Sequence, residues 1–128
     1  MAEAGVGYKR REVGVGWIMS DRAARVMPVV VVLPAEIDVT NSQEVYEQLV
    51  GAVAPGVDAV VADMMETTFC DSSGVHAIMR AYESAEARDV RMRLAVSSNT
   101  SVRRVLQLIG VSRLMPVHES LEEALAAS

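Results

Sequence analysis

The chain has 128 residues, of which 51% are hydrophobic and only 4% aromatic, enough for one compact domain with an aliphatic core and too few for a second. Its formal net charge of -5 excludes a general binder of phosphate backbones, whose footprint is basic, so no nucleic acid is expected as a partner. The single cysteine, Cys70, excludes an internal disulfide and reads as a reduced, partly buried small apolar residue, with a reactive thiol as the lesser alternative.

Residues 1–12 are small, polar or charged and are expected to form a flexible N-terminal segment, leaving 13–128 as the domain. Lys9-Arg10-Arg11 is followed by Glu12 and glycines where a signal peptide needs an apolar block. The longest apolar run, Val26 to Ala35, contains two prolines and is about half the roughly 20 residues of a membrane helix. The expected location is therefore the cytoplasm, with no membrane association.

Val13, Val15, Trp17 and Met19 alternate with Gly14, Gly16, Ile18 and Ser20, which predicts a first strand, followed by a turn through Asp21–Arg25. Val29–Leu33 reads as a fully apolar strand at the centre of the sheet, with Pro28 at its first position, where a missing N–H does least harm. Asp38 to Ser42 carries helix-start chemistry. Val45, Tyr46, Leu49, Val50 and Val53 then form the apolar stripe of a first helix ending near Pro55. The turn pair Pro55-Gly56 introduces a buried strand, Val57–Asp63.

A second helix begins near Ser72, since Val75, Ile78, Met79 and Tyr82 fall at the spacing that lines one helical face. Val90, Met92, Leu94 and Val96 alternate with Arg91, Arg93 and Ala95, giving a strand with a partly polar face. Asn99 or Thr100 opens a third helix carrying Val102, Val105, Leu106 and Ile109, and Gly110 stands where a left-handed C-terminal residue belongs. A short strand around Leu114–His118 follows, and Ser120 with Glu123 makes a capping box for a last helix.

Helices inserted between strands require crossover connections, so the fold class is α/β: a single domain with a mixed, mostly parallel sheet and about four helices. Functional groups in such sheets gather on loops at the carboxyl ends of strands. Glu36 and Asp38 follow the second strand, and Asp71-Ser72-Ser73 lies beyond the third. If those strands are neighbours, the loops share one edge and form an acidic, hydroxyl-bearing surface.

Ser72 and Ser73 stand at a helix N-terminus, where free N–H groups and the macrodipole favour an anion, including a phosphate carried by a serine. The same residue types are also ordinary helix caps. A hydrolase is not expected. The G-x-S-x-G elbow is absent, and of the two histidines, His76 and His118, neither has an evident orienting group. No metal-ligand pattern accompanies Glu36, Asp38 and Asp71, and no glycine-rich phosphate cradle occurs, so no cofactor is expected.

Four stretches occur together in order: Leu33-Pro34-Ala35-Glu36-Ile37-Asp38; Phe69-Cys70-Asp71-Ser72-Ser73-Gly74-Val75; Val105-Leu106-Gln107-Leu108-Ile109-Gly110-Val111; and Ser120-Leu121-Glu122-Glu123-Ala124-Leu125. On these motifs the chain from about Val29 onward resembles the STAS domain, and within it the bacterial anti-sigma-factor antagonists of actinobacterial type. The resemblance implies that Ser72 is a phosphoacceptor and that Asp38 matches an acidic residue near it. It also implies that the unphosphorylated protein binds an anti-sigma factor that is itself a serine kinase with a histidine-kinase-like ATPase fold, freeing a sigma factor. Phosphorylation would end that binding, and a PP2C-type phosphatase would restore it. The partner contact is expected around Glu36, Asp38, Asp71, Ser73, Gly74, Val75 and Met79. Ala35, where glycine is frequent, and Cys70, where a larger apolar residue is usual, depart from the pattern without touching the acceptor. The alternative is a non-catalytic STAS subunit of a lipid-transport or stress-signalling assembly, with no phosphorylation cycle.

Overall fold

The structure, a computed structural model, describes Lys9–Arg10 and residues 28–127. In chain order the elements are β1 (Lys9–Arg10), β2 (Pro28–Val32), β3 (Glu36–Ile37), α1 (Ser42–Gly51), β4 (Ala59–Asp63), β5 (Phe69–Cys70), α2 (Ser72–Glu86), β6 (Arg91–Ala95), α3 (Ser101–Ile109), a 3-10 turn (Val111–Arg113), β7 (Val117–His118) and α4 (Leu121–Ala126). Five strands form one sheet in the order β1-β2-β4-β6-β7, and every pairing in it is parallel. A separate parallel ribbon joins β3 to β5.

The centre of the sheet is β4, not β2. Ala59, Val60, Val61 and Ala62 are each 0% exposed, whereas β2 ends in Val32 at 55%. The two runs are similarly apolar, but only β4 has long strands on both sides; β2 has the two-residue β1 on its outer flank. Lys9–Arg10 falls inside the segment read as flexible, while the alternation from Val13 to Met19 and the turn at Asp21–Arg25 lie outside the described residues.

Parallel sheets need cover on both faces, because their crossover helices pack on the strands. On one face Val60, Ala62, Met92 and Leu94 pack beneath Val45 and Leu49 of α1, Val75 and Ile78 of α2, and Val102 and Leu106 of α3. On the other, Val30, Val61 and Ala95 pack against Ala124, with Leu121 and Leu125 beside it. Arg93 belongs to this second face. The polar side read for β6 is therefore covered: Arg93 is 5% exposed and its Nη1 donates to the Ala124 carbonyl at 3.0 Å.

Helix ends follow local chemistry. Thr100 Oγ1 accepts from Arg103 N at 3.1 Å, and Gly110 takes φ 88°, a left-handed conformation that closes α3. Ser120 Oγ accepts from Glu123 N at 3.0 Å, while Glu123 Oε1 reaches back to Glu119 N rather than to the cap residue itself. The first helix ends at Gly51, short of Pro55, and the chain then tucks Ala52 and Val53 into the core. No described helix is long and apolar enough to cross a membrane.

Leu94 is wholly buried between β4 and β7. Leu94→Ala is expected to lower stability by about 2–5 kcal/mol, measured as a fall in the urea midpoint at constant slope.

Candidate functional site

The two acidic loops are joined by the β3–β5 ribbon. Its register sets Glu36 beside Phe69 and Ile37 beside Cys70. Strand alternation then turns Ile37 and Cys70 inward, at 0% and 3% exposure, and leaves Glu36 and Phe69 outside. Further bonds hold the same approach. Thr67 Oγ1 donates to the Pro34 carbonyl at 2.8 Å, Thr68 N to that of Ala35 at 2.8 Å, and Asp71 N to that of Ile37 at 3.2 Å.

Asp71 is the cap of α2. Its backbone is extended, and its Oδ1 accepts from Ser73 N at 3.0 Å, Gly74 N at 3.2 Å and Ser73 Oγ at 2.6 Å. Capping is therefore not the task of either serine. The Ser73 hydroxyl holds the Asp71 carboxyl below its ordinary value; desolvation opposes it, and the backbone N–H groups of Gly74 and Ser73 add to the lowering. Ser72 is the first residue of the helix and is exposed, and its hydroxyl has no hydrogen-bond partner among the described residues.

Gly74 lies against the ribbon. A Cβ built there would stand 2.6 Å from Ile37 Cγ2 and 2.7 Å from Cys70 Sγ, closer than such atoms come. Gly74 and Val75 are both buried, so neither offers a side chain to a partner, contrary to the expectation from sequence. The reason is the helical face: both point at the sheet. Met79 is half-buried and packs on the core from the rim.

Asp38 shapes its own loop. Its Oδ1 accepts from Thr40 N at 2.9 Å and from the Thr40 hydroxyl. Asn41 clamps the loop from the far side, accepting from Asp38 N at 3.0 Å and donating to the Glu36 carbonyl at 2.8 Å. Cys70 is buried, and desolvation, aided by the negative charge of Asp71, pushes its thiol up to about 12, so it stays protonated and unreactive. Among the described residues no cluster of His, Cys, Asp or Glu could hold a metal ion.

Phe69, 49% exposed, and Val39, 75% exposed, complete this surface and were missed in the sequence. Phe69 faces outward because it neighbours the inward Cys70 in an extended pair, which the two-residue β5 left without a sequence signal. Ser101 Oγ donates to the Thr68 carbonyl at 3.4 Å, bringing the start of α3 to the same edge.

A sequence model of the STAS domain matches residues 19–124, and the protein belongs to the STAS domain family. Among solved structures, the chain is similar to an anti-sigma factor antagonist from Mycobacterium paratuberculosis, with TM-score 0.68 and 23% identity over 84% of this chain and 88% of that one. The anti-sigma factor antagonist SpoIIAA in its unphosphorylated form gives TM-score 0.62 and 27% identity over 82% and 90%. A sulfate transporter family protein from Wolinella succinogenes gives 0.51 and 18% over 84% and 87%. No curated protein sequence matches the chain.

Gly74→Ala is expected to cost about 1–3 kcal/mol by denaturant unfolding, with the largest amide shifts at Ile37 and Cys70. Asp71 predicts an acid dependence. Its folded-state value lies below the ordinary 3.8, so its contribution is complete above that value and is lost as pH falls through the lower folded one. The stability difference between the natural protein and Asp71→Ala should therefore shrink across that acid window, followed by urea midpoints at stepped pH. A difference that stays constant would count against the capping role.

Proposed function

We propose that this STAS domain is an anti-sigma-factor antagonist whose unphosphorylated form binds an anti-sigma factor serine kinase and so frees a sigma factor. In this reading a phosphate on Ser72 ends the binding, and a PP2C-type phosphatase restores it. The protein acts as a binding module and not as a catalyst. The observation that carries the reading is the contrast between two adjacent hydroxyls: Ser73 Oγ is held by the Asp71 carboxylate at 2.6 Å, while Ser72 is exposed and bonds to none of the described residues. A phosphoryl donor needs a hydroxyl that can turn toward it.

The charge change supports an effect on binding rather than on folding. A phosphate adds about -1.5 to -2 at neutral pH. At the first turn of a 15-residue helix whose Ser73 and Gly74 N–H groups are already taken by Asp71, it still meets the positive end of the macrodipole, a setting that stabilises anions by about 0.3–1 kcal/mol at exposed sites. The cost falls on the partner. A surface built from Ser72, Ser73, Glu36, Asp38, Asp71, Met79, Phe69 and Val39 is already acidic, and a partner matched to it must desolvate or repel the added charge. Gly74 and Val75 serve this surface from beneath. The likeness to SpoIIAA, an antagonist with a named unphosphorylated form, supports the same reading. A STAS subunit without a phosphorylation cycle draws on the sulfate transporter likeness, which at 18% identity reaches the fold alone.

Incubation with ATP and candidate kinases from the same cell, followed by mass spectrometry, tests the site. Ser72→Ala is expected to abolish phosphate uptake and Ser73→Ala to keep most of it; full labelling of Ser72→Ala would refute the assignment. Calorimetry against the cognate kinase is expected to show about a hundredfold loss of affinity on phosphorylation, roughly 3 kcal/mol, with little change in thermal midpoint. Equal affinities would reject the switch, and a collapse of the midpoint would make it an unfolding event instead.

A further inference from the structure

The start of β6 lies at the end of the sheet away from Ser72, and among the described residues it has no strand on its outer side. β7 pairs only Leu94 with Val117 and Ala95 with His118. Pro116, which precedes β7, has no N–H with which to extend the ladder. Arg91, Met92 and Arg93, whose outer strand edge is unpaired among the described residues, line a cavity of about 500 Å³ together with Tyr82, Pro116 and His118.

Arg93 is the feature of this cavity that the fold leaves unexplained. It is 5% exposed, its Nη1 donates to the Ala124 carbonyl, and no carboxylate among the described residues pairs with its guanidinium. A buried cation with one neutral acceptor is costly, and an apolar residue of similar size would serve packing better. Arg91, two residues along the same strand face, adds like charge and, after desolvation, helps hold the Arg93 guanidinium below its ordinary value. His118 also lines the cavity, and its Nε2 is buried with no hydrogen-bond partner. The cavity thus holds two arginines, and among the described residues neither of its carboxylates, Glu86 and Asp89, pairs with Arg93.

We propose that this cavity binds a small monocarboxylate with an apolar body, its carboxylate paired with the Arg93 guanidinium. The planar fork of arginine matches a carboxylate through two parallel hydrogen bonds. Met92, Val90, Pro116 and the Tyr82 ring supply apolar wall for the rest of the molecule, and the volume lies within the range of small-ligand sites. Glu86 and Asp89 also line the cavity, and Glu86 accepts from the Tyr82 hydroxyl at 3.1 Å. Their charges disfavour a phosphate or any polyanion. A single negative charge on an apolar body meets the Arg93 guanidinium with less repulsion from Glu86 and Asp89 than a polyanion would.

The test uses the full chain and octanoate as probe, with octanamide and inorganic phosphate as controls, by calorimetry and NMR. Octanoate is expected to bind saturably and at least tenfold more tightly than either control. Arg93→Met and Ala127→Phe are each expected to weaken octanoate at least tenfold. The second variant leaves Arg93 in place and fills the cavity from Ala127, so it decides the matter with the controls should Arg93→Met fail to fold. Absence of saturable binding, equal binding of octanamide or phosphate, or full affinity in a folded Ala127→Phe protein would each overturn the proposal. Ser72→Ala is expected to bind octanoate normally, which keeps this result separate from the phosphorylation switch.

Discussion

A side chain at position 74 would put its first carbon 2.6 Å from Ile37 Cγ2 and 2.7 Å from Cys70 Sγ, so α2 can lie this close to the ribbon because Gly74 has none. That contact lets the helix rest directly on the β3–β5 ribbon. The ribbon in turn brings the loop after β2 to the loop after β4, and with it the Asp38 turn to the serines. The lack of a side chain thus works together with the Asp71 cap and the ribbon bonds to position the site.

Asp71 then divides the work between two neighbouring serines of the same chemistry. By accepting from the Ser73 hydroxyl as well as from two backbone N–H groups, it makes Ser73 part of the helix start. Ser72 is left with its hydroxyl outward because its backbone belongs to the helix and the cap is already supplied. A chain with a weaker acceptor at position 71 would leave the two hydroxyls less distinct. The selectivity is built into the capping geometry before any partner arrives.

Much of this was legible in the residues. The α/β class, the four helices, the cap at Thr100, the left-handed Gly110 and the buried Cys70 follow from patterns with a local cause. What escaped has a tertiary cause. Nothing in the sequence distinguishes the Val-rich run of β2 from that of β4 as the central strand, since the difference lies in which strands flank them. The two-residue strands β3 and β5 are too short to leave a periodic signal, so the ribbon that joins the two loops was invisible, and with it the inward turn of Gly74. Val75 was read as part of the contact surface because the helical stripe gives a face but not what covers it. Arg93 misled for the opposite reason: an arginine in an alternating strand reads as solvent-facing, yet α4 packs over it.

The β3–β5 ribbon also bears on how the protein comes to be made. Thr67 and Pro34, which tie it together, are separated by 33 residues, and every strand pairing in the sheet is parallel, so no hairpin can form early and locally. Contacts of long sequence separation require loops to close before they reward the chain, and they are completed late in folding. A ribosome-bound chain that has just exposed Asp71-Ser72-Ser73 still lacks the α3 whose Ser101 reaches Thr68. The surface around Ser72 is thus a property of the finished fold. Under the proposed reading, a kinase that recognises that surface would act on mature molecules and pass over nascent or misfolded copies.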